Sequence, residues 1–190
     1  EEGLIYIHPY DDLKVIAGQG TIALEMLEVT PDLDAILVPI GGGGLISGIA
    51  VAAKAINPEI KVYGVESAHF NSMYAHVKGL EPSFGATTIA DGIAVKNPGV
   101  LTSEIVAKSV DDIFHVEEDD IEEAMILLLE IEKTLVEGAG ATGLAALKKN
   151  ASLLKGKKVG LILCGGNVDP LTLTAVIDKG MVRAGRLVRL

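Results

Sequence analysis

The sequence predicts a three-layer α/β fold in which helices cover both faces of a mostly parallel sheet. Short apolar segments alternate with helix-forming segments along most of the 190 residues. Segments such as residues 35–40 (AILVPI) are almost continuously apolar, which is typical of strands that are buried on both faces. Ligands of such sheets usually bind at the carboxyl ends of the strands. Functional residues are therefore expected in the loops that follow the strands.

The first half of the chain begins with a β-type run at residues 4–7, which Pro9 and two aspartates end. A helix at 21–28 has Thr21 as a possible cap and stops before Pro31. The apolar strand 35–40 leads into four glycines and then into a helix that Asn57-Pro58 ends. This helix is predicted at 45–56. The remaining predicted elements of this half are a strand at 61–65 and weaker helices at 71–77 and 102–108.

The second half repeats the alternation. A strand at 112–116 precedes a predicted helix at 119–136, which has apolar residues at helical spacing and acidic residues at its start, where the helix dipole favours them. Glycines at 138–143 are expected to break this helix. The chain then continues with a helix at 141–149, a strand at 158–164 and a helix at 169–178.

Composition excludes several classes of function. The chain is 49% hydrophobic and 22% charged, so it is expected to fold rather than to be disordered. A net charge of −10 repels phosphate backbones and anionic membranes, and no apolar run reaches the roughly 20 residues of a spanning helix. The acidic N-terminus does not resemble a signal peptide. We expect a cytoplasmic protein that binds neither nucleic acid nor membrane.

The strongest local signal is the run of four glycines, Gly41–Gly44, between a predicted strand and a predicted helix. Glycines at such a position allow backbone N–H groups to surround an anion at the positive end of the helix dipole. Phosphate is the expected ligand, and a tight turn with close packing is the alternative. The spacing matches neither the G-x-G-x-x-G pattern nor the P-loop, which needs Lys and Ser or Thr where Ile49 and Ala50 stand.

Glu66 keeps a dinucleotide interpretation open. It lies 22 residues after Gly44 at the end of the next predicted strand, where a dinucleotide-binding domain places the acid that binds the ribose. The alternative is a solvated carboxylate at a strand end.

A second glycine loop, Cys164-Gly165-Gly166-Asn167, also lies between a strand and a helix. In a parallel sheet both loops open at the same edge, so they are expected to face one ligand. Cys164 would offer a weak thiol partner to a ring nitrogen, or would simply belong to the core. As the only cysteine, it excludes an intramolecular disulfide and a cysteine-based zinc site.

Other chemistry has little support. His8, His69, His76 and His115 show no metal-ligand spacing, and neither G-x-S-x-G nor H-E-x-x-H occurs. These absences argue against hydrolase and metalloprotease functions.

Six segments in order resemble the threonine dehydratase (threonine ammonia-lyase) family of fold-type-II pyridoxal-phosphate enzymes, which includes serine racemase. The resemblance covers nearly all of the chain and implies part of the large domain of a tryptophan-synthase-β-like fold. The segments are HPYDD at 8–12, AGQGT at 17–21, VPIGGGGL at 38–45, IADG at 89–92, EGAG at 137–140 and CGGN at 164–167.

The resemblance implies that the cofactor is pyridoxal 5′-phosphate and that the substrate is threonine or serine, which is deaminated to a 2-oxo acid and ammonia. It implies a role in amino-acid metabolism such as isoleucine biosynthesis, and we expect a homo-oligomer. Cys164 would contact the pyridine nitrogen where most relatives have serine, and the glycine run with the Leu45 N–H would hold the phosphate. The implied cofactor-binding residues are Gly41, Gly42, Gly43, Gly44, Leu45 and Cys164.

The resemblance also implies residues outside this sequence. No lysine lies in the family's Ser-x-Lys-x-Arg-Gly type of segment, so the catalytic Schiff-base lysine is expected upstream of Glu1 and the chain alone is expected to be inactive. The implied domains are a small-domain tail at 1–10, an incomplete large domain at 11–182 and the start of an ACT-type regulatory domain at 183–190. No metal is expected, because Ser72 stands where the racemase branch has an aspartate. The alternatives are a nicotinamide-binding oxidoreductase domain using Glu66 and a non-catalytic module that binds small anions.

Overall fold

The computed structural model describes residues 3–188. The first two residues of the predicted small-domain tail and the last two of the predicted regulatory segment lie outside this range, and the domain boundaries stay predictions. Within the described residues the helices are α1 (Leu13–Val29), α2 (Gly44–Ile56), α3 (Ser72–Lys78), α4 (Val100–Ser109), α5 (Glu118–Leu127), α6 (Gly138–Lys149), α7 (Ala151–Leu154) and α8 (Pro170–Arg183). The strands are β1 (Ala35–Pro39), β2 (Lys61–Ser67), β3 (Asp112–Val116) and β4 (Val159–Leu161).

The four strands form one parallel sheet in the order β3-β2-β1-β4. Strand β1 is central and is buried along its whole length, with Ala35 opposite Lys61 of β2 and Val159 of β4. All four strands point the same way, so the loops that follow them lie along one edge. This edge contains both predicted glycine loops.

Alternate residues of β1 belong to two separate cores. Ile36 and Val38 pack with buried residues of α1 and α2, whereas Leu37 packs with buried residues of α5 and α6. Side chains of successive strand residues point to opposite faces, so one apolar strand supplies both cores. The predicted three-layer α/β fold with a parallel sheet is confirmed.

The predicted strand at 4–7 is wrong. These residues form no regular element, and Leu4, Ile5, Tyr6 and Ile7 are all highly exposed. A β-type run becomes a strand only where a neighbouring strand accepts its hydrogen bonds. None of the four described strands pairs with this segment.

Helix α1 begins earlier than predicted, at Leu13, because Asp12 and not Thr21 caps it. The Asp12 carboxylate accepts hydrogen bonds from the N–H groups of Lys14 and Val15. Gly20, which precedes the predicted helix at 21–28, is inside α1 and faces Gly48 of α2. A Cβ on Gly48 would lie 2.2 Å from the Ile16 carbonyl oxygen, so the glycine allows the two helices to approach closely.

The predicted helix at 119–136 is shorter in the structure. Helix α5 ends at Leu127, a π-type turn follows at Leu128–Glu132, and Lys133 adopts a left-handed conformation with φ of 57°. Apolar spacing alone did not reveal this ending. The glycines at 138–143, predicted as a break, instead lie in α6, which starts at Gly138.

The last elements differ in length from their predictions. Strand β4 ends at Leu161, although the apolar run continues to Cys164, and α8 extends to Arg183, past the predicted end at Asp178. The segment between β4 and α8 is thus a longer loop that includes the second glycine motif.

Candidate active site

A cavity of about 430 Å³ lies at the carboxyl edge of the sheet. It brings together the two glycine loops that the sequence placed at this edge, along with residues from three other segments, at 9–19, 92–95 and 137–139. The lining residues used below are Tyr10, Gly41, Gly42, Gly43, Gly44, Leu45, Gly92, Glu137, Cys164 and Gly165. Both loops therefore line one cavity, and that they hold one ligand stays a prediction.

The first glycine loop joins β1 directly to α2. Gly43 is the N-cap residue with φ of 94°, a left-handed conformation that favours glycine, and no side chain caps the helix. The N–H groups of Gly44, Leu45 and Ile46 in the first turn have no partner within the helix. Their partial positive charge suits a phosphate group at this helix start.

Protein atoms pack closely against the same loop. A Cβ on Gly42 would lie 2.2 Å from the Tyr10 ring, and one on Gly43 would lie 2.5 Å from the Met73 Cε atom. The Gly42 carbonyl accepts hydrogen bonds from the Thr102 hydroxyl (2.7 Å) and the Gly99 N–H (3.2 Å). The glycines are thus needed for close packing as well as for an uncapped helix start. A closely packed turn and a phosphate site, the two interpretations of this motif, are therefore compatible.

The segment at 8–12 packs against this loop through Tyr10 and is hydrogen-bonded to residues 97–102. The Asp11 carboxylate accepts hydrogen bonds from the Val100 and Thr102 N–H groups, both at 3.0 Å, and the Tyr10 hydroxyl donates to the Asn97 carbonyl. The His8 Nδ1 atom accepts from the Asp11 N–H at 2.8 Å. From the sequence, these residues were expected only to end a β-type run and to form part of a family motif, and their contact with the glycine loop was not predicted.

The second glycine loop brings Cys164 to the cavity, three residues after the end of β4. Burial raises the pKa of the Cys164 thiol, and the nearby Glu137 carboxylate raises it further. The thiol is therefore neutral at neutral pH. A neutral thiol is a weak hydrogen-bond donor and acceptor, which is the property that the sequence argument assigned to Cys164.

Glu137 is a lining residue that sequence reasoning did not single out. Its carboxylate accepts a hydrogen bond from the Asn167 N–H at 2.9 Å, and its own N–H donates to the Gly165 carbonyl at 3.1 Å. The available signal was its place at the head of the EGAG segment.

The EGAG segment meets two other small-residue segments at the start of α6. A Cβ on Gly138 would lie 2.2 Å from the Ile89 carbonyl oxygen, and one on Gly140 would lie 2.1 Å from the Cys164 carbonyl oxygen. Three of the motifs that the resemblance was based on therefore pack against one another beside the cavity.

The sequence profile described as "Pyridoxal-phosphate dependent enzyme" matches residues 1–165. The chain belongs to this family. Its cofactor is pyridoxal phosphate, as the resemblance implied. The residues that line the cavity between the first glycine loop and Cys164 all lie within the matched range.

Two relatives illustrate the similarity of sequence. The chain is 48% identical to an L-threonine ammonia-lyase of Thermotoga maritima over 188 residues, which are 98% of this chain and 47% of that protein. It is 49% identical to an L-threonine ammonia-lyase of Geobacter sulfurreducens over 193 alignment positions, with 100% and 48% covered. The chain thus spans about half the length of these curated relatives.

Solved structures support the fold. A processed threonine deaminase of Solanum lycopersicum superimposes with a TM-score of 0.87 at 33% identity, covering 95% of this chain and 51% of that one. Maize serine racemase superimposes with a TM-score of 0.83 at 41% identity, covering 94% and 57%.

The dinucleotide interpretation of Glu66 is wrong, because its side chain is only 1% exposed and already has protein partners. One carboxylate oxygen accepts from the Met73 N–H at 2.8 Å and the other from the Tyr74 N–H at 3.0 Å. The Nε2 atom of His115 lies 3.7 Å away. Glu66 is therefore neither a ribose ligand nor a solvated carboxylate, and it instead anchors the start of α3 behind the glycine loop.

Among residues 3–188, no group of three or more His, Cys, Asp or Glu side chains has an arrangement that would hold a metal ion. In the same part of the chain, no helix combines the length and apolar character needed to cross a membrane.

Proposed function

We propose that this chain supplies the cofactor-phosphate site of a pyridoxal-phosphate-dependent L-threonine ammonia-lyase, which converts threonine to 2-oxobutanoate and ammonia and also accepts serine. The observation that carries the proposal is the cavity that the uncapped start of α2 and Cys164 both line. The names of the two bacterial relatives support threonine as the substrate.

The amides of the first glycine loop would hold the cofactor phosphate. Gly41, Gly42 and Gly43 line the cavity, and the N–H groups of Gly44 and Leu45 belong to the first turn of α2. No side chain caps these amides, and the helix dipole adds to the attraction for an anion. The residues present therefore fit a phosphate monoester.

Cys164 would be the neutral partner of the ring nitrogen. When bound, pyridoxal phosphate supplies an electron-withdrawing ring that favours loss of the α-proton and of the β-hydroxyl group from an amino acid. A neutral thiol leaves the ring nitrogen largely unprotonated, because it is too weak an acid to transfer its proton. This moderate electron withdrawal suits elimination of a β-hydroxyl group.

The lysine that the family links to the cofactor is proposed to come from outside these 190 residues. Of the described residues that line the cavity, none is a lysine. Turnover therefore belongs, in this proposal, to the longer protein, and the present chain binds the cofactor reversibly.

Proline substitutions at two helix starts, one at the cavity and one as a control, test the phosphate site. Leu45→Pro removes one N–H group at a first-turn position that tolerates proline, so the dissociation constant for pyridoxal phosphate is expected to rise about tenfold. Leu171→Pro makes the matched change at the second residue of α8, which is exposed and is not among the residues that line the cavity, and should leave binding unchanged. Equilibrium dialysis measures both.

Equal cofactor binding by Leu45→Pro and the wild-type chain would refute the phosphate site. In the longer protein, release of 2-oxobutanoate from L-threonine tests the reaction separately. Cofactor binding without deamination there would favour a non-catalytic anion-binding module.

Finer assignments are part of the same proposal. We propose a cytoplasmic homo-oligomer, for which a sedimentation measurement on the longer protein is the test. An Escherichia coli K12 relative with 51% identity over 172 residues is named as a catabolic L-threonine dehydratase. Threonine degradation thus has more support from the comparisons than the isoleucine biosynthesis implied by the resemblance.

A further inference from the structure

Glu137 connects the start of α6 to the second glycine loop through two hydrogen bonds. The Glu137 N–H donates to the Gly165 carbonyl, and the Glu137 Oε2 atom accepts from the Asn167 N–H. Both partners lie within three residues of Cys164. The position of the thiol in the cavity therefore depends on contacts that Glu137 makes.

The other carboxylate oxygen of Glu137 lies between the two loops that flank it. A Cβ on Gly165 would come within 2.3 Å of Oε1, and one on Gly92 within 3.1 Å. Gly165 has φ of 84°, so glycine is required there for conformation as well as for space. Glycines on both sides thus leave room for a carboxylate at the wall of the cavity.

We propose that Glu137 is a positioning residue for Cys164, which holds the 164–167 loop against the cavity and keeps the thiol protonated. The cofactor contact in this inference rests on the proposed function, whereas the contact between Glu137 and the Cys164 loop does not. Glu137 would act on the ring nitrogen only through the thiol.

The charges around the thiol support this role. Burial raises the pKa of the Cys164 thiol, and the negative charge of Glu137 acts in the same direction. Tyr10 is the other titratable residue at the cavity, and its hydroxyl donates to the Asn97 carbonyl. A negative charge beside a partly buried thiol opposes formation of a second negative charge. The carboxylate therefore favours the neutral partner that the ring nitrogen would contact.

Glu137→Gln tests the charge, because glutamine keeps an oxygen that can accept from Asn167 and removes the negative charge. Cys164 is the only cysteine, so the pH dependence of iodoacetamide labelling reports its thiol pKa directly. Labelling at pH 7.5 is expected to become about 3- to 10-fold faster in Glu137→Gln, which corresponds to a fall of half a unit to one unit in the thiol pKa.

Glu104→Gln is the matched control, since Glu104 is an exposed carboxylate on α4 in the opposite helix layer. Its labelling profile should equal that of the wild-type chain. Unchanged labelling in Glu137→Gln, or the same acceleration in Glu104→Gln, would overturn the electrostatic part of the inference.

A measurement on the wild-type chain tests the hydrogen bond without any substitution. The Asn167 amide proton resonance is expected to shift as the Glu137 carboxyl group is titrated with acid, because the strength of the hydrogen bond depends on the charge of the acceptor. Glu137→Ala should abolish this shift and accelerate exchange of the Asn167 amide proton. An Asn167 resonance that does not respond to acid would show that the contact is absent.

The cofactor provides a separate readout. Pyridoxal phosphate is expected to protect Cys164 from iodoacetamide in the wild-type chain. Protection that is missing while the Glu137→Gln effect is present would reject the cofactor position but keep the inference. Protection with no effect of Glu137→Gln would do the reverse.

Discussion

The two glycine loops at the carboxyl edge of the sheet share a sequence pattern but differ in how the next helix begins. The N-cap residue of helix α2 is Gly43, which offers no side-chain cap. The N-cap residue of helix α8 is Asp169, whose carboxylate accepts hydrogen bonds from the N–H groups of Leu171 (2.9 Å) and Thr172 (3.1 Å). The first helix start is therefore available to an external anion, whereas an internal carboxylate already occupies the second.

The loops also differ in how tightly the protein surrounds them. Gly42, Gly43 and Gly44 are buried, and atoms of Tyr10 and Met73 stand where added Cβ atoms would lie. Gly166 in the second loop is exposed, and the nearest atom to an added Cβ is the Leu135 carbonyl oxygen at 3.6 Å. The first loop is thus a rigid part of the core, and the second is attached mainly through Glu137.

The largest effect is expected from Gly43→Ala. The new Cβ would lie 2.5 Å from Met73 Cε and 2.8 Å from Thr102, and the residue would keep a left-handed φ of 94°. Overpacking and backbone strain together are expected to lower the free energy of unfolding by about 2–4 kcal/mol. Urea denaturation measures this change.

Gly166→Ala is the comparison variant, because its Cβ meets no close neighbour. Its free energy of unfolding is expected to change by less than about 0.5 kcal/mol. If the two variants were equally stable, the contrast between a rigid and a loosely attached loop would be wrong.

The second largest effect is expected from Glu66→Gln. Glutamine has one acceptor oxygen, so its NH₂ group would face one of the two N–H donors at Met73 and Tyr74. Losing a charged hydrogen bond at this buried site is expected to lower the free energy of unfolding by about 1.5–3 kcal/mol. The exposed Glu81→Gln is the control, and thermal or urea denaturation is the measurement.

This variant also tests how the first loop is supported. Met73, whose N–H binds Glu66, packs against Gly43, so exchange of the Gly43 amide proton should accelerate in Glu66→Gln. Exchange at Gly166 should not change. Faster exchange at both positions would mean that the two loops are not independently supported.

The fold was predictable because it depends on a local pattern. Apolar runs that alternate with helical segments predicted β1, β2 and β3 with ends that differ by at most two residues from those in the structure. The two predicted glycine loops both line the cavity. What the sequence did not reveal depends on contacts between distant residues. The Glu66 carboxylate binds amides seven and eight residues away, and Glu137 binds Asn167 thirty residues away. Periodicity contains no information about such pairs.

The third prediction compares the two helix starts directly. Inorganic phosphate at a concentration of several times its dissociation constant should shift the amide resonances of Gly44 and Leu45 and stabilise the fold by about 1 kcal/mol through preferential binding to the native state. The resonances of Leu171 and Thr172 should not move, because Asp169 already binds those N–H groups. Equal shifts at both helix starts would contradict the distinction between them.

The smallest effect is expected on acidification, and it concerns the second helix start alone. Hydrogen bonds from the Thr172 hydroxyl and from the Thr172 and Leu171 N–H groups hold the pKa of the Asp169 carboxyl below its usual value. A carboxyl group with a lowered pKa in the folded state stabilises the fold above its unfolded pKa of about 4, and this contribution is lost as the pH falls through the lower folded value. Below about pH 4, exchange of the Leu171 and Thr172 amide protons should therefore accelerate beyond its intrinsic pH dependence. The amide proton of Ser47, which donates to the Gly43 carbonyl at 3.0 Å, should show no such acceleration, because no carboxylate caps α2. If acid loosened both helices equally, the capping difference would not be what separates the two loops.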